Sequence, residues 1–227
     1  MKRACMFLVG LLLSLSLAVL TLSALIGGSA ASSSVMQVML TSHTSYAETG
    51  LPDEEYAGMA SMIAKYLAGS NISFQYTFTN EEGTEVSCFN TREQTHMADC
   101  LQLFYLCRGV MLLSAAATCL CILALVLWKL WGKGTAGFLT GNGLVLLLCL
   151  TLVVWGLADF EGLFVRFHQT FFSNDLWLLN PQTDLLIRLM PTQFFVDWAA
   201  IIAGLWLTAL VLATVIAGIL CYRQHRR

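Results

Sequence analysis

Residues 160–195, FEGLFVRFHQTFFSNDLWLLNPQTDLLIRLMPTQFF, decide how the rest of this chain is interpreted. The segment holds seven phenylalanines and a tryptophan, together with two arginines, a histidine and two aspartates. In a membrane protein, ionisable groups in apolar surroundings are costly and mark functional sites by default. Pro181 and Pro191 interrupt the backbone twice, because proline has no N–H to donate. We therefore expect the chemistry of this protein to lie in this segment.

The composition is that of an integral membrane protein. Of 227 residues, 57% are hydrophobic and 11% are charged, and the mean hydropathy is +0.71. Four apolar stretches reach the roughly 20 residues that cross a bilayer, at about 5–27, 103–128, 136–158 and 195–221. We predict an all-α membrane protein with four transmembrane helices, forming a single domain over residues 1–227. A small extracytoplasmic cap is expected at 28–102 and an interfacial segment at 159–195.

The first apolar stretch is expected to be a retained span, because its run of about 22 residues exceeds the roughly 7–15 of a signal sequence. Basic residues beside the spans predict the orientation. One side collects Lys2, Arg3, Lys129, Lys133, Arg223, Arg226 and Arg227. Both termini are therefore predicted to be cytoplasmic, with the cap and the interfacial segment facing outward.

The predicted cap begins with residues 29–45, which are rich in serine and threonine and are expected to form a mobile connector. Apolar residues between Glu48 and Leu67 recur at helical spacing, and the acidic residues that start at Asp53 suit the beginning of a helix. This pattern predicts one amphipathic helix.

Short strands are predicted next, at 73–79 and 84–89, because apolar residues alternate there and a turn at 80–83 separates them. A helix starting at Thr91 is expected to run into the second span. Of the eight cysteines, six lie in spans and are expected to pack as small apolar residues. Cys88 and Cys100 lie outside the spans, where a disulfide is an open alternative.

Two of the four histidines are candidates for catalysis. His96 precedes the second span and His168 follows the third, so both are expected at the outward end of the spans, where they could meet. His43 in the serine-rich connector and His225 in the basic tail are expected to be solvated. A lone interfacial histidine is more often a polar tip than a catalyst, and that alternative stays open.

The carboxylates of Glu93 and Asp99 lie three residues to either side of His96 and are its neighbours on a helix. Either one could fix the tautomer of the imidazole, although a solvated polar face is the alternative. A zinc site is disfavoured because no third ligand lies at motif spacing. The patterns of serine hydrolases, nucleotide-driven pumps and dinucleotide enzymes are absent.

Tight turns are predicted at 174–175 and 180–181, on either side of Trp177, followed by a short helix at 185–190 that Thr183 or Asp184 would cap. Non-helical backbone at membrane depth is tolerated where it is buried or lines a wet cavity, so these turns predict a pocket. At the start of the last span, Asp197 is expected to pair with Arg166 or Arg188.

Two stretches resemble a known family. Residues 91–104 are similar to its E-x-x-H-M-x-D-V element, and residues 166–195 to its F-H-x-x-F-F…W-x-L-x-P-x-x-D-x-L-I-x-L-x-P-x-x-F-F element. The family is the lipoprotein intramolecular transacylases, Lit, of Gram-positive bacteria. One departure is at Cys100–Leu101, where the family pattern has valine and often lysine.

The resemblance implies an acyltransferase of the bacterial cell membrane, with its active site at the outer leaflet. Its substrate would be a lipoprotein whose N-terminal cysteine carries an S-diacylglyceryl group. The sn-2 acyl chain would move to the α-amino group of that cysteine, giving the lyso-form. Neither a metal nor another cofactor is expected, and the partners are the lipoprotein and membrane lipid, without nucleic acid. We expect a monomer.

Site residues carried over from the resemblance are the catalytic pair, with His168 as base and His96 as acid or oxyanion partner, although the two roles could be exchanged. Those expected to bind or orient the substrate are Glu93, Asp99, Arg166, Asn174, Asp175, Trp177 and Asp184. Aromatic residues expected to line the site are Phe164, Phe167, Phe171 and Phe172.

Two other classes of protein remain alternatives. A four-span scaffold or adaptor is supported by the large first outward loop with two cysteines, but it does not explain the polar interruptions in 160–195. A transporter is third, since four short spans contain few intramembrane charges.

Overall fold

The computed structural model describes residues 2–80, 82–129 and 131–225. Arg226 and Arg227, on which the predicted orientation partly rests, lie outside these residues, as does the side chain of His225. The elements in chain order are α1 (Lys2–Ala30), α2 (Ser33–His43), α3 (Tyr46–Thr49), a 3₁₀ turn (Asp53–Glu55), α4 (Tyr56–Leu67), β1 (Thr77–Thr79), β2 (Glu85–Ser87), α5 (Thr91–Trp128), α6 (Trp131–Ala158), α7 (Phe160–Phe171), α8 (Leu185–Leu189) and α9 (Thr192–His225).

Four of these helices, α1, α5, α6 and α9, are long and apolar enough to cross a membrane. Their large apolar side chains are widely exposed, including Leu113 at 74% and Leu157 at 84%. Such exposure suits contact with lipid, in which only a helix or a closed barrel satisfies its own backbone. The predicted all-α fold with four spanning helices and a small strand pair is confirmed.

The chain divides into two compact units. The first comprises Met1–Leu25, Cys107–Ala158 and Ile201–Arg227, and the second comprises Ile26–Leu106 and Asp159–Ala200. Both histidines singled out in the sequence belong to the second unit.

Close packing of small residues and a few hydrogen bonds hold the helices of the first unit together. A Cβ on Gly137 would lie 2.0 Å from the carbonyl oxygen of Phe7, so α6 and α1 touch through their backbones. On another face of α6, the buried Asn142 amide donates to the carbonyl of Leu210 at 2.9 Å. Small residues that allow close approach and polar groups that bond between helices are the usual means of association in lipid.

Replacing Gly137 by alanine is expected to destabilise the protein by about 1–3 kcal/mol, because the added methyl group forces two backbones apart. Thermal unfolding of detergent-solubilised protein measures this. Gly143→Ala is the matched control on the same helix, since a Cβ there meets nothing within 4 Å. Equal melting temperatures for the two variants would contradict the close contact.

The second unit contains a core that the sequence analysis did not expect. The predicted mobile connector at 29–45 is wrong, because most of it forms α2, capped by the Ser32 side chain, which accepts from the Val35 N–H. Met36, Met39 and Leu40 lie on one face of α2 and are buried. That spacing is the apolar stripe of a helix packed on a core, and the serines and threonines occupy its other faces.

The amphipathic helix predicted between Glu48 and Leu67 is confirmed in its later part, as α4. Gly50 ends α3 with a positive φ of 71°, a conformation open mainly to glycine, so the predicted helix is divided into pieces. The predicted strand pair is confirmed in a shorter form, with β1 antiparallel to β2 and Phe78 opposite Val86.

Helix α5 begins with a capping box, in which the backbone N–H of Asn90 donates to Glu93 at 2.8 Å and the N–H of Glu93 donates to Asn90 at 3.1 Å. Helix α7, which the sequence analysis did not foresee, begins where Asp159 accepts from the N–H of Gly162 at 2.8 Å. The first cap fixes the end of α5 that carries His96, and the second fixes the start of α7, whose last turn carries His168.

Candidate active site

His96 and His168 lie side by side, although 72 positions of sequence separate them. His96 is in the second turn of α5, before the apolar part of that helix, and His168 is in the last turn of α7. Their ring centroids are 6.0 Å apart and each residue is 7% exposed. The two histidines selected from the sequence therefore form one buried pair.

Aromatic rings surround the pair. The centroid of Phe164 lies 4.2 Å from that of His168, and the centroid of Trp177 lies 4.9 Å from it on the loop that follows α7. Phe172 contacts both imidazoles, at 5.2 Å from His96 and 5.5 Å from His168. A charged imidazole is poorly solvated in such surroundings.

The tautomer of His168 follows from its hydrogen bond. Its Nδ1 lies 2.8 Å from the carbonyl oxygen of Phe164. Because a carbonyl only accepts, Nδ1 carries the proton and Nε2 keeps a lone pair in the neutral ring. Burial lowers the pKa of His168, against the opposing effect of that hydrogen bond. Near pH 7 this ring is a neutral base whose basic atom is Nε2.

His96 has a different environment. Its Nε2 lies 3.6 Å from Sγ of Cys100, one turn further along α5. Its Nδ1 is buried and has no hydrogen-bond partner among the described residues. Burial, with a smaller contribution from His168, lowers the pKa of His96 to about 4. The ring is therefore neutral near pH 7 and has one nitrogen available for a further hydrogen bond.

Neither acidic neighbour reaches the His96 ring, so the expectation that Glu93 or Asp99 fixes its tautomer is wrong. The buried Glu93 carboxylate accepts from the backbone N–H groups of Asn90 at 2.8 Å and Leu186 at 2.6 Å. Glu93 thus joins the first turn of α5 to α8. Asp99 accepts from the Asn174 amide at 2.9 Å.

The loop after α7 is attached to α5 at two points. Besides the Asn174 contact, the Arg92 guanidinium donates to the carbonyl of Asp175. These contacts hold the loop that places Trp177 against His168. A cavity of about 590 Å³ adjoins this loop and is lined by Val165, Gln169, Phe172, Ser173, Asn174, Asp175, Trp177 and Leu178. A second, larger cavity measures about 840 Å³, and neither cavity is lined by either histidine.

The remaining predicted site residues differ in their burial and in whether they contact the histidine pair. Asp184 is buried and accepts from the Asn90 amide at 2.8 Å and the Asn180 N–H at 2.7 Å, so it braces the turn before α8. Asp175 and Arg166 are exposed. Of the lining aromatics, Phe167 packs at 5.4 Å on His168, whereas Phe171 is 50% exposed and packs on Phe167.

His43 and Asp197 correct two expectations. His43 is not solvated but donates from Nε2 to Asp197 at 2.9 Å and from Nδ1 to the Met39 carbonyl at 2.7 Å. Burial lowers the pKa of His43, but these hydrogen bonds outweigh it and the pKa is raised overall. Asp197 pairs with this histidine rather than with Arg166, and Arg188 instead donates to the carbonyl of Glu48 at 3.2 Å.

Sequence reasoning missed two contributors to the site. The Phe164 carbonyl and the Cys100 thiol are the groups that contact the ring nitrogens, and each is four residues from its histidine. That spacing, one turn of helix, was the available signal. Cys88 and Cys100 are both free thiols. Among the described residues no group of three or more metal-ligating side chains is found.

Protonation of the buried pair gives a pH-dependent stability. Because folding lowers the pKa of His96 from 6.5 to about 4, the unfolded chain binds more protons between these values. The free energy of unfolding is therefore expected to fall by about 3 kcal/mol as the pH drops from 6.5 to 4. Thermal unfolding of wild type and His96→Gln across this range measures the effect, which should shrink in the variant. Identical pH profiles would contradict it.

The chain is similar to known proteins of one family. A family model described as lipoprotein intramolecular transacylase Lit matches residues 9–195. A solved structure of the integral membrane transacylase Lit from Bacillus cereus is similar, with a TM-score of 0.80, 20% identity and 99% of each chain covered. No curated protein matches the chain.

Structures of two variants of the Bacillus cereus protein, in each of which one histidine is replaced, are also similar to this chain. The alanine variant has a TM-score of 0.75 at 16% identity and covers 100% of this chain and 98% of its own. The arginine variant has a TM-score of 0.69 at 17% identity and covers 99% of this chain and 94% of its own. At these identities the likeness shows a shared fold.

Proposed function

The chain belongs to the lipoprotein intramolecular transacylase family, and from this premise we propose that it performs an O-to-N acyl shift on diacylglyceryl lipoproteins. The sn-2 acyl chain of the S-diacylglyceryl cysteine moves to the α-amino group of the same cysteine. The observation that carries the proposal is the buried pair of neutral imidazoles, one with a fixed basic nitrogen and one with a nitrogen free to bond.

The reaction balances without a cofactor or an energy source. The α-amine nitrogen attacks the ester carbonyl carbon, an N–C bond forms and the C–O bond to glycerol breaks. One proton leaves the amine and ends on the glycerol oxygen. An amide replaces an ester, which is downhill. Because donor and acceptor belong to one molecule, binding both in one pocket lowers the entropic cost of bringing them together.

His168 is proposed as the base. An α-amine has a pKa of about 7.7–8.0, so a neutral imidazole can accept its proton as the N–C bond forms. The Phe164 carbonyl holds the ring by Nδ1 and leaves Nε2 as the accepting atom. The same Nε2–H then delivers the proton to the departing glycerol oxygen, and the ring returns to its starting state.

His96 is proposed as the oxyanion partner rather than as the acid. Its lowered pKa of about 4 keeps it neutral, and a neutral imidazole gives up its N–H proton far less readily than an imidazolium. As a hydrogen-bond donor, by contrast, the Nδ1–H can stabilise negative charge on the carbonyl oxygen of the tetrahedral intermediate. The buried, unpartnered Nδ1 supports this role.

The surroundings suit a lipid substrate. The aromatic shell offers apolar walls for acyl chains, and the cavity beside Trp177 combines those walls with polar groups from Gln169 and Asn174. We propose that the site works at the outer leaflet of the bacterial membrane, with both termini cytoplasmic, as the basic residues beside the spans predict. We also propose that a single chain is the catalytic unit.

Mass spectrometry of a lipoprotein N-terminal peptide tests the function. In a host that makes only the diacyl form, expression of this chain is expected to yield an N-acyl, S-monoacylglyceryl peptide. The empty vector is the control. An unchanged diacylglyceryl peptide beside well-expressed, folded protein would contradict the proposal and favour the non-catalytic scaffold.

A further inference from the structure

The contact between Cys100 and His96 bears on the tautomer of the proposed oxyanion partner. The thiol lies one turn after the imidazole on α5, with Sγ at 3.6 Å from Nε2, within reach of a sulfur hydrogen bond. A neutral imidazole has one N–H, on either Nδ1 or Nε2. Whichever nitrogen accepts a hydrogen bond leaves the proton to the other.

Chemistry favours one direction for this bond. A thiol is a weak donor and its sulfur is a weak acceptor, whereas the bare imidazole nitrogen accepts well. Burial, followed by the nearby Asp99 charge, raises the pKa of the Cys100 thiol to about 12, so the S–H proton is present at neutral pH. The S–H therefore points to Nε2, and the ring proton lies on Nδ1.

The two carboxylates nearest to His96 along the helix are hydrogen-bonded to other groups. The Glu93 carboxylate is bonded to the N–H groups of Asn90 and Leu186, and Asp99 is bonded to Asn174. The Nδ1 atom itself is buried without a described partner. Cys100 is thus the described polar side chain whose hydrogen bond can select between the two tautomers of His96.

We propose that Cys100 is a positioning residue that holds His96 in the Nδ1–H tautomer, which turns an N–H rather than a lone pair toward the reacting carbonyl oxygen. The consequence for catalysis rests on the proposed function, whereas the tautomer itself does not. In the opposite tautomer a lone pair would face the developing negative charge and oppose the reaction.

Nitrogen NMR of the full chain in detergent, labelled with ¹⁵N-histidine, reads the tautomer directly. The His96 signals are those lost in His96→Gln. Wild type is expected to show a protonated Nδ1 and a bare Nε2. Cys100→Ser should keep this pattern, because a hydroxyl also donates, and Cys100→Val should lose it. Cys100→Ala replaces the valine variant if valine does not fold.

Kinetics on a diacylglyceryl lipopeptide give the second readout. Cys100→Val installs the residue of the family pattern but removes the described partner of His96 Nε2 in this chain. It is expected to lower kcat about tenfold with KM unchanged, as loss of one modest hydrogen bond implies, and Cys100→Ser is expected to retain the wild-type kcat. The proposal would be overturned if wild type carried the His96 proton on Nε2, or if the folded valine variant kept the wild-type tautomer. It would also be overturned if the serine variant behaved like the valine variant. If wild type makes no lyso-form product while NMR gives the expected tautomers, the proposed function fails and the positioning inference stands.

Discussion

Replacing His168 by alanine is expected to reduce formation of lyso-form lipoprotein by at least about 100-fold, the lower range for loss of a general base. The Nε2 atom that is proposed to accept the amine proton is lost with the ring. Solvent cannot easily replace it, because the residue is 7% exposed within an aromatic shell. The N-terminal peptide of a lipoprotein, quantified by mass spectrometry, gives the yield.

A matched control separates catalysis from folding in this test. Thr170→Ala changes an exposed residue two positions away on α7, where the hydroxyl donates to the Arg166 carbonyl at 2.7 Å. This variant should retain wild-type yield, and both variants should elute from size-exclusion chromatography as wild type does. Full activity in a folded His168→Ala protein would show that another group removes the proton.

Replacing His96 by alanine is expected to lower kcat by about 10²–10³, the effect of removing one oxyanion donor. KM should change little, because the hydrogen bond strengthens only as charge develops on the carbonyl oxygen. His96→Asn places an amide N–H near the position of Nδ1 and is expected to recover part of the lost rate. Single-turnover conversion of a diacylglyceryl lipopeptide measures these rates.

The double variant gives a further check on the His96 assignment. If the two imidazoles act on the same transition state, His96→Ala combined with His168→Ala should lose much less than the product of the single losses. Strictly multiplicative losses, or a His96→Ala protein whose KM alone rises, would contradict a shared role. A rise in KM alone would instead indicate that His96 contributes to ground-state binding.

Much of the architecture was predictable because lipid imposes simple rules. A bilayer requires about 20 apolar residues per helix, so composition and run length were enough to find the four spans. Residues 160–195 were selected as a candidate site for a related reason, since titratable groups among phenylalanines are costly in a membrane protein and mark functional sites by default. The motifs around His96 and His168 pointed to the family that the family model matches.

Most of the errors share a cause, which is that hydrogen-bond partners distant in sequence leave no local pattern. Residues 29–45 are an exception, because the many serines and threonines there obscured three apolar residues at helical spacing, which are buried and form one face of a helix. His43 is bound by Asp197, 154 positions away, and Glu93 by the backbone of Leu186, 93 positions away. Composition and spacing could not reveal these partners.

The sequence by itself determined the membrane class, the four spanning helices and the choice of His96 and His168 as candidates, because hydrophobic run length and motif spacing are local properties of a chain. The tertiary structure alone decided that the imidazoles lie 6.0 Å apart, and which nitrogen of each has a partner. Proton positions on an imidazole depend on the atoms that surround it in space. The Phe164 carbonyl and the Cys100 thiol supply those atoms, each one turn from its histidine on the same helix, and the tertiary structure brings the two rings together.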